Sequence, residues 1–320
     1  MASSRSFVAL IALATLFMAI VGVMVPDWFL NQLLVALARG LAVLGLMILL
    51  RTGLVSFGHA LYLGLGAYTV VLLNRLASIT DAFLLLFAAA VVSVFVGFVV
   101  GFVVRRHKRI FFAMLNLAVS MIFYGLIIKS DWLGSSDGFS VKQASLPGVT
   151  LSSGSFTRLA IYYVLLAVIV AAVVGTHWYL RTTLGRLAEA VRDNDIRVEY
   201  LGYSPARVVH LNYTLSAGLA GIAGAFIAIV IGQVDPDSLI QWTVSGELVF
   251  VTVLSGTGHV LVPFAGSIFF EILKTVAFEN APQLWNMIIG FALLAIILFL
   301  PEGFSSVLSR IRQFQRQGSM

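Results

Sequence analysis

At 320 residues, with 60% hydrophobic and only 11% charged side chains and a mean hydropathy of +1.02, the chain lies far outside the range of a soluble domain. The absence of cysteine excludes disulfides, thiolate metal sites and cysteine nucleophiles. The net charge of +6 does not point to nucleic acid, because the basic residues fall where membrane proteins gather them, at cytoplasmic ends.

A crossing needs roughly 20 mostly apolar residues, and with its loop about 30, so the length accommodates about eight to eleven spans. The 28 glycines suit helices packing in lipid, where small residues let backbones approach closely. The apolar run from Phe7 to Val25 exceeds the core of a signal peptide, and Val25-Pro26-Asp27-Trp28 offers no cleavage motif, so it reads as a retained first span. Apolar segments follow one another over 7–26, 30–50, 59–77, 82–104, 110–129, 158–180, 208–232, 247–258, 262–281 and 284–300. The expected fold is all-α: a polytopic membrane bundle of about ten transmembrane helices forming one domain over 1–320.

With a cytoplasmic N-terminus, the inside ends receive Arg5, Arg51, the cluster Arg105-Arg106-His107-Lys108-Arg109, five arginines within 181–207, and Arg310, Arg312 and Arg316. That is fourteen of the 20 Lys and Arg, against four outside: Arg75, Lys129, Lys142 and Arg158. The positive-inside rule then sets both termini in the cytoplasm, which an even number of crossings satisfies.

Two segments interrupt the pattern. Thr52–His59, TGLVSFGH, is too short to cross, and Gly232–Gly246, GQVDPDSLIQWTVSG, holds Pro236 and several polar groups. Broken segments in both halves of a transporter point to its translocation path, whereas ordinary surface loops are the plain alternative. The polar stretch 130–157 is either a docking surface for an external partner or a solvated loop.

The loop 181–207 is a charge-rich island. It sets Arg181, Arg186, Arg192, Arg197 and Arg207 against Glu189, Asp193, Asp195 and Glu199. Leu187, Ala190, Val191, Val198 and Leu201 fall near one helical face, so the island reads as one or two short amphipathic helices. A helix lying on the bilayer surface has a mainly basic polar face. The near balance of charge here instead favours a groove on a partner protein.

Polar residues inside apolar segments are costly and mark functional candidates: Asn31, Arg39, Asn116, Glu247, Glu271 and Lys274. Glu271 and Lys274, three apart on one helix, are placed to pair with each other. His59, after Gly58, is a helix-start hydrogen bonder or a gate. No His, Asp and Glu cluster has metal-ligand spacing, and no nucleophile or acid/base arrangement occurs. Without a G-x-x-x-x-G-K-[ST] loop, the chain does not itself hydrolyse ATP.

The island's GRLAEAVRDN, followed by LGYSPARVVHLNYTLSAGLAGIAGAFIA, resembles permease subunits of bacterial ABC importers for branched-chain amino acids, the LivM type. So do GLVSFGHALYLGLGAYT, DPDSLIQWTVSGELVFVTVLSGTGHVLVPFAGSIFFEIL and the terminal LFLPEGFSSVL, in the same order, over about residues 35–310. The chain departs from the pattern at Ser255-Gly256, at Val262 before the proline and at Val198-Glu199.

The resemblance implies a coupling loop at Gly185, Arg186, Ala188, Glu189, Ala190, Arg192, Asp193 and Asn194, which inserts into a cleft of the ATP-hydrolysing subunit. It implies a pathway beside Ser56, Phe57, His59, Tyr68 and Ser245, and Tyr62 with the intramembrane polar residues Asn116 and Glu247 are further pathway candidates. The motif glycines are Gly53, Gly58, Gly64, Gly66, Gly256, Gly258 and Gly266. It also implies an inner-membrane location and no cofactor on this chain, with ATP and Mg on the partner. The expected partners are two ATP-binding subunits, a second related permease and a periplasmic solute-binding protein. A small, mostly apolar amino acid is the expected solute, with urea, short amides or aromatic carboxylates as alternatives within the family. A different class, the ion-gradient-driven secondary transporter, needs coupling carboxylates, for which Glu247 and Glu271 are the candidates.

Overall fold

The computed structural model describes residues 4–145 and 155–299. Arg310, Arg312, Arg316, most of the LFLPEGFSSVL motif and part of the polar stretch after Asp131 lie outside the described residues. The elements are α1 (Ser4–Met24), α2 (Asp27–Leu50), α3 (His59–Leu76), α4 (Ala82–Val104), α5 (Arg109–Ile128), β1 (Phe139–Ser140), α6 (Ser155–Arg181) and α7 (Thr183–Tyr200). There follow α8 (Pro205–Ile231), β2 (Gln233–Val234), α9 (Pro236–Leu239), α10 (Trp242–Ser255), α11 (Val262–Asn280) and α12 (Trp285–Phe299).

Local signals set the helix ends. Asp81 caps α4 by accepting from the backbone N–H of Phe83 and Leu84, which satisfies donors that the first turn leaves open. Pro205 opens α8 where its missing N–H costs nothing, and Gly232 closes α8.

Helix α8 is the hub. It packs against α2, α3 and α4, while α11 lies beyond α2, α5 flanks α3, and α1 rests on α6. A Cβ on Gly66 of α3 would strike the Gly221 carbonyl of α8, and one on Gly224 would strike the Leu63 carbonyl. The two backbones therefore touch, which only glycine permits. The outer faces of α1, α4 and α5 leave Phe17, Phe87, Phe95 and Phe111 exposed, as an environment of lipid allows.

Seven helical stretches among the described residues are long and apolar enough to cross a bilayer: Phe7–Met24, Asp27–Leu50, Ala82–Val104, Arg109–Ile128, Phe156–Arg181, Pro205–Ile231 and Pro236–Ser255. The sequence led us to expect about ten. Helices α3, α11 and α12 occupy the other expected positions but fall short of that composition or length. Glu271, Lys274 and Glu279 break up α11, and α12 is described over only 15 residues. The span expected at 247–258 instead begins at Trp242 and stops at Gly256, whose φ of 73° ends the helix.

Both interruptions are packed rather than superficial. Thr52, Leu54, Ser56 and Gly58 are buried, as are Val234, Pro236, Leu239, Ile240, Val244 and Ser245. Gly232–Gly246 is thus packed on one side while Gln233, Asp237, Ser238, Trp242 and Thr243 stay exposed. The bundle has two distinct ends. At one, β1 and β2 pair antiparallel, with Phe139 opposite Val234, and Arg158 meets Asp27 at 3.0 Å. At the other stand Arg51, the 105–108 turn and α7.

Candidate functional site

The chain folds back after α2 so that α3 starts inside the bundle. Ser56 Oγ accepts from the Gly58 N–H at 3.3 Å, and the His59 Nε2 lies 2.6 Å from Ser216 Oγ on α8. The next residue, Ala60, donates its N–H to Ser245 Oγ on α10 at 2.9 Å. One turn on, the Tyr62 hydroxyl donates to the Tyr213 hydroxyl at 2.8 Å, and Tyr213 donates to Asn116 Oδ1 on α5. The Asn116 Nδ2 in turn donates to the Phe112 carbonyl at 2.7 Å. The rings of His59, Tyr62 and Tyr213 meet edge to face.

These side chains are at most 1% exposed, so in this conformation the cluster joins four helices and offers no surface to a solute. His59 therefore does not cap its own helix, which Gly58 opens without a side-chain bond; it cross-links α3 to α8. Of the other expected pathway residues, Tyr68 is buried with no partner for its hydroxyl, and Phe57 is half-buried. Glu247 lies elsewhere. Ser216 and Tyr213 completed the cluster without any signal of their own, being polar residues on a helix otherwise rich in Gly and Ala.

Close approach explains most of the motif glycines. A Cβ on Gly58 would meet the Asn116 carbonyl at 2.5 Å, and Cβ atoms on Gly64 and Gly266 would collide with Ile240 and Ser255. Gly53, at φ 76°, turns the chain beneath Arg192, and Gly256 turns it after α10. Gly258 is exposed.

A second polar constellation spans α2, α10 and α11. Arg39 Nη1 lies 3.2 Å from Glu247 Oε2 and 3.1 Å from Glu271 Oε2. Lys274 Nζ lies 2.9 and 3.0 Å from the two oxygens of Glu247. The expected Glu271–Lys274 pair is thus replaced by partners on other helices: Glu271 turns to α2 and Lys274 to α10. The spacing along α11 was right for a pair, but it carried no information about what the neighbouring helices present.

The island forms α7. Thr182 Oγ1 accepts from the Gly185 N–H at 3.2 Å, capping its start. At Asn194 the backbone leaves helical geometry (φ −162°, ψ 101°), and Asn194 Oδ1 accepts from the Arg197 N–H at 3.0 Å. Asn194 therefore ends one helical piece and caps the next. Leu187, Ala188 and Val198 pack inward on Val208, with Ala190 and Val191 half-buried beside them. The expected apolar stripe thus fastens α7 to its own bundle, with Leu201 alone of it exposed. The outward face instead shows Arg186, Glu189, Arg192 and Asp193 together with Ile196, Tyr200 and Leu201.

Two ion pairs tether α7: Arg51–Glu189 at 3.1 Å, and Lys108–Asp195. The Lys108 ammonium, by donating to its carboxylate, holds Asp195 below the ordinary carboxylate range. Among the described residues, no group of three His, Cys, Asp or Glu side chains could hold a metal ion.

A family model described as the permease component of a branched-chain amino acid transport system matches residues 28–298. The high-affinity branched-chain amino acid transport system permease protein LivM of Salmonella typhimurium strain LT2 is 26% identical over 277 residues, covering 79% of this chain and 64% of that protein. LivM of Escherichia coli strain K12 matches with the same identity and coverage. The autoinducer 2 import system permease protein LsrC of Klebsiella pneumoniae is 32% identical over 137 residues, covering 41% of this chain and 40% of LsrC. The match spans a little under two thirds of the length of the LivM proteins. No solved structure matches.

Proposed function

The chain belongs to the family of branched-chain amino acid transport permease components, and we propose that it is the membrane-spanning subunit of an ATP-driven importer for a small, mostly apolar amino acid. It is a multi-pass transport protein, not an enzyme. In this reading the end carrying Arg51 and α7 faces the cytoplasm, with about ten crossings and both termini on that side of a bacterial inner membrane. The β1–β2 end receives solute from a periplasmic binding protein. Two ATP-binding subunits, which carry ATP and Mg, and a second related permease complete the machine.

The observation that carries the reading is the outward face of α7. A helix pinned to its own bundle by Leu187, Ala188 and Val198 still exposes Ile196 (58%) and Tyr200 (90%) among mixed charges. Lipid does not suit the charges, and water does not suit the apolar groups; a protein groove suits both. Motion of an ATPase pair then reaches the bundle through Glu189–Arg51 and Asp195–Lys108. The ion-gradient alternative needs coupling carboxylates, and its two candidates, Glu247 and Glu271, are balanced one for one by Arg39 and Lys274 rather than standing as unmatched acids.

Leucine uptake by cells carrying the assembled system tests the proposal. Depleting ATP while keeping the proton gradient should abolish uptake. Uptake that persists under those conditions would overturn the reading.

A further inference from the structure

We propose that the charged seam of α2, α10 and α11, built from Arg39, Glu247, Glu271 and Lys274, is an intramembrane station that holds the ammonium and carboxylate of a zwitterionic solute. This rests on the importer reading above, and adds to it a place in the fold where the solute's two charges are held.

Four ionisable groups stand well inside helices that are otherwise apolar. Hydrocarbon is a costly surrounding for them, and an incompletely covered set is costlier still. Yet their side chains keep 17–26% of their surface open. A set that served only to bolt three helices together would be stabilised by complete enclosure, as the His59–Tyr62–Tyr213 cluster is. Left in lipid, that open side would be costly, so water, a solute or the second permease has to cover it.

The seam continues toward the β1–β2 end. Gln32 Nε2 on α2 donates to Thr275 Oγ1 on α11 at 3.2 Å, and Thr275 donates to the Glu271 carbonyl at 3.0 Å. Beside Gln32, the buried Asn31 Oδ1 has no hydrogen-bond partner. Small recesses flank the charges, one lined by Arg39, Glu247 and Ser267, the other by Gln32 and Glu271. Gln32 and Thr275 thus extend the polar contacts of the seam toward the β1–β2 end, and the recesses beside the charges, about 10 Å³ each, mark where it would have to open to admit a solute.

The balance of charge disfavours singly charged solutes, and the four charged partners give a zwitterion more to bind than they give an uncharged solute. Two cations and two anions sum to zero, and the hydrogen bonds of Arg39 to both carboxylates leave from one nitrogen, Nη1. A solute carboxylate can take a place on Arg39 or Lys274 while its ammonium takes one on Glu271 or Glu247. The site then stays neutral, and each displaced group regains an opposite charge. A solute bearing only one charge leaves the site unbalanced in a low-dielectric setting, which disfavours it.

The test uses the complete importer in proteoliposomes with radiolabelled leucine, its binding protein and ATP inside. Lys274→Gln removes one cation and leaves both Arg39 ion pairs, so the bundle should assemble. It should lower leucine uptake at least tenfold while ATP hydrolysis stimulated by the binding protein stays within twofold of wild type. Lys274→Arg should restore uptake, and the paired neutral variant Arg39→Gln/Glu271→Gln should behave like Lys274→Gln. Uptake at the wild-type rate in Lys274→Gln, or uptake and hydrolysis falling in proportion, would overturn the station and leave the importer intact. Wild-type vesicles without ATP-driven uptake would overturn the importer reading and the station with it.

Discussion

The guanidinium of Arg51, at the end of α2, lies 3.1 Å from the carboxylate of Glu189 on α7. With its other terminal nitrogen it donates to the Thr257 carbonyl, at 2.6 Å, in the turn between α10 and α11. One side chain thus joins the charged loop to two helices of the bundle. Glu189 is half exposed, and exposed ion pairs contribute about 0.2–1 kcal/mol. Losing a charged hydrogen bond to a carbonyl costs more, on the order of 1.5–3 kcal/mol. Glu189→Gln should therefore lower the unfolding temperature of the solubilised protein slightly, and Arg51→Met clearly more. Equal effects would show that the Thr257 contact contributes nothing.

The contact of α3 with α8 predicts an ordered pair of glycine effects. Gly66→Ala forces two touching backbones apart and should destabilise by roughly 1–3 kcal/mol. Gly175→Ala on α6 meets nothing within 4 Å and should be neutral or stabilising by up to about 1 kcal/mol. Thermal unfolding in detergent reads both, and a harmless Gly66→Ala would contradict the packing.

In the buried tyrosine chain, the middle member matters most. Tyr213→Phe strands both the Tyr62 hydroxyl and Asn116 Oδ1, at a cost of about 1–3 kcal/mol for each buried group left unpaired. Tyr62→Phe leaves Tyr213 its bond to Asn116 and should cost less. The reverse order would mean that Tyr213 does not stand between Tyr62 and Asn116.

Asp195 gives a pH prediction. Its folded-state pKa is depressed by Lys108, so its contribution is present above the unfolded value of about 3.9 and is lost as pH falls through the lower folded value. Replacing Lys108 with Met should raise the carboxyl midpoint, followed by NMR of carbon-labelled aspartate, toward about 3.9. An unmoved midpoint would remove the tether.

Much of this architecture can be read from residue order. Long apolar runs predict α1, α2, α4, α5, α6 and α8 to within a few residues, because length and hydropathy act locally. The break at Gly232–Gly246 is visible through Pro236 and its polar neighbours. What stays hidden is which side chains meet across helices. Nothing in the spacing of Glu271 and Lys274 tells that Arg39, 232 positions from Glu271, will claim that carboxylate. The apolar stripe of α7 shows the same limit. Periodicity identifies Leu187 and Val198 as one face, but only the proximity of Val208 decides that this face turns inward and that Ile196 and Tyr200 are left outside.

The absence of native cysteine makes a direct test of the α7 interface available. Tyr200→Cys places a single thiol on its outward face, and Trp132→Cys places one at the opposite end, where Trp132 is 60% exposed. With a thiol-reactive photo-crosslinker in membranes containing the assembled system, Tyr200→Cys should capture an ATP-binding subunit and Trp132→Cys should not. Capture of no such subunit from Tyr200→Cys, with α7 labelled only by bilayer-resident probes, would contradict the account.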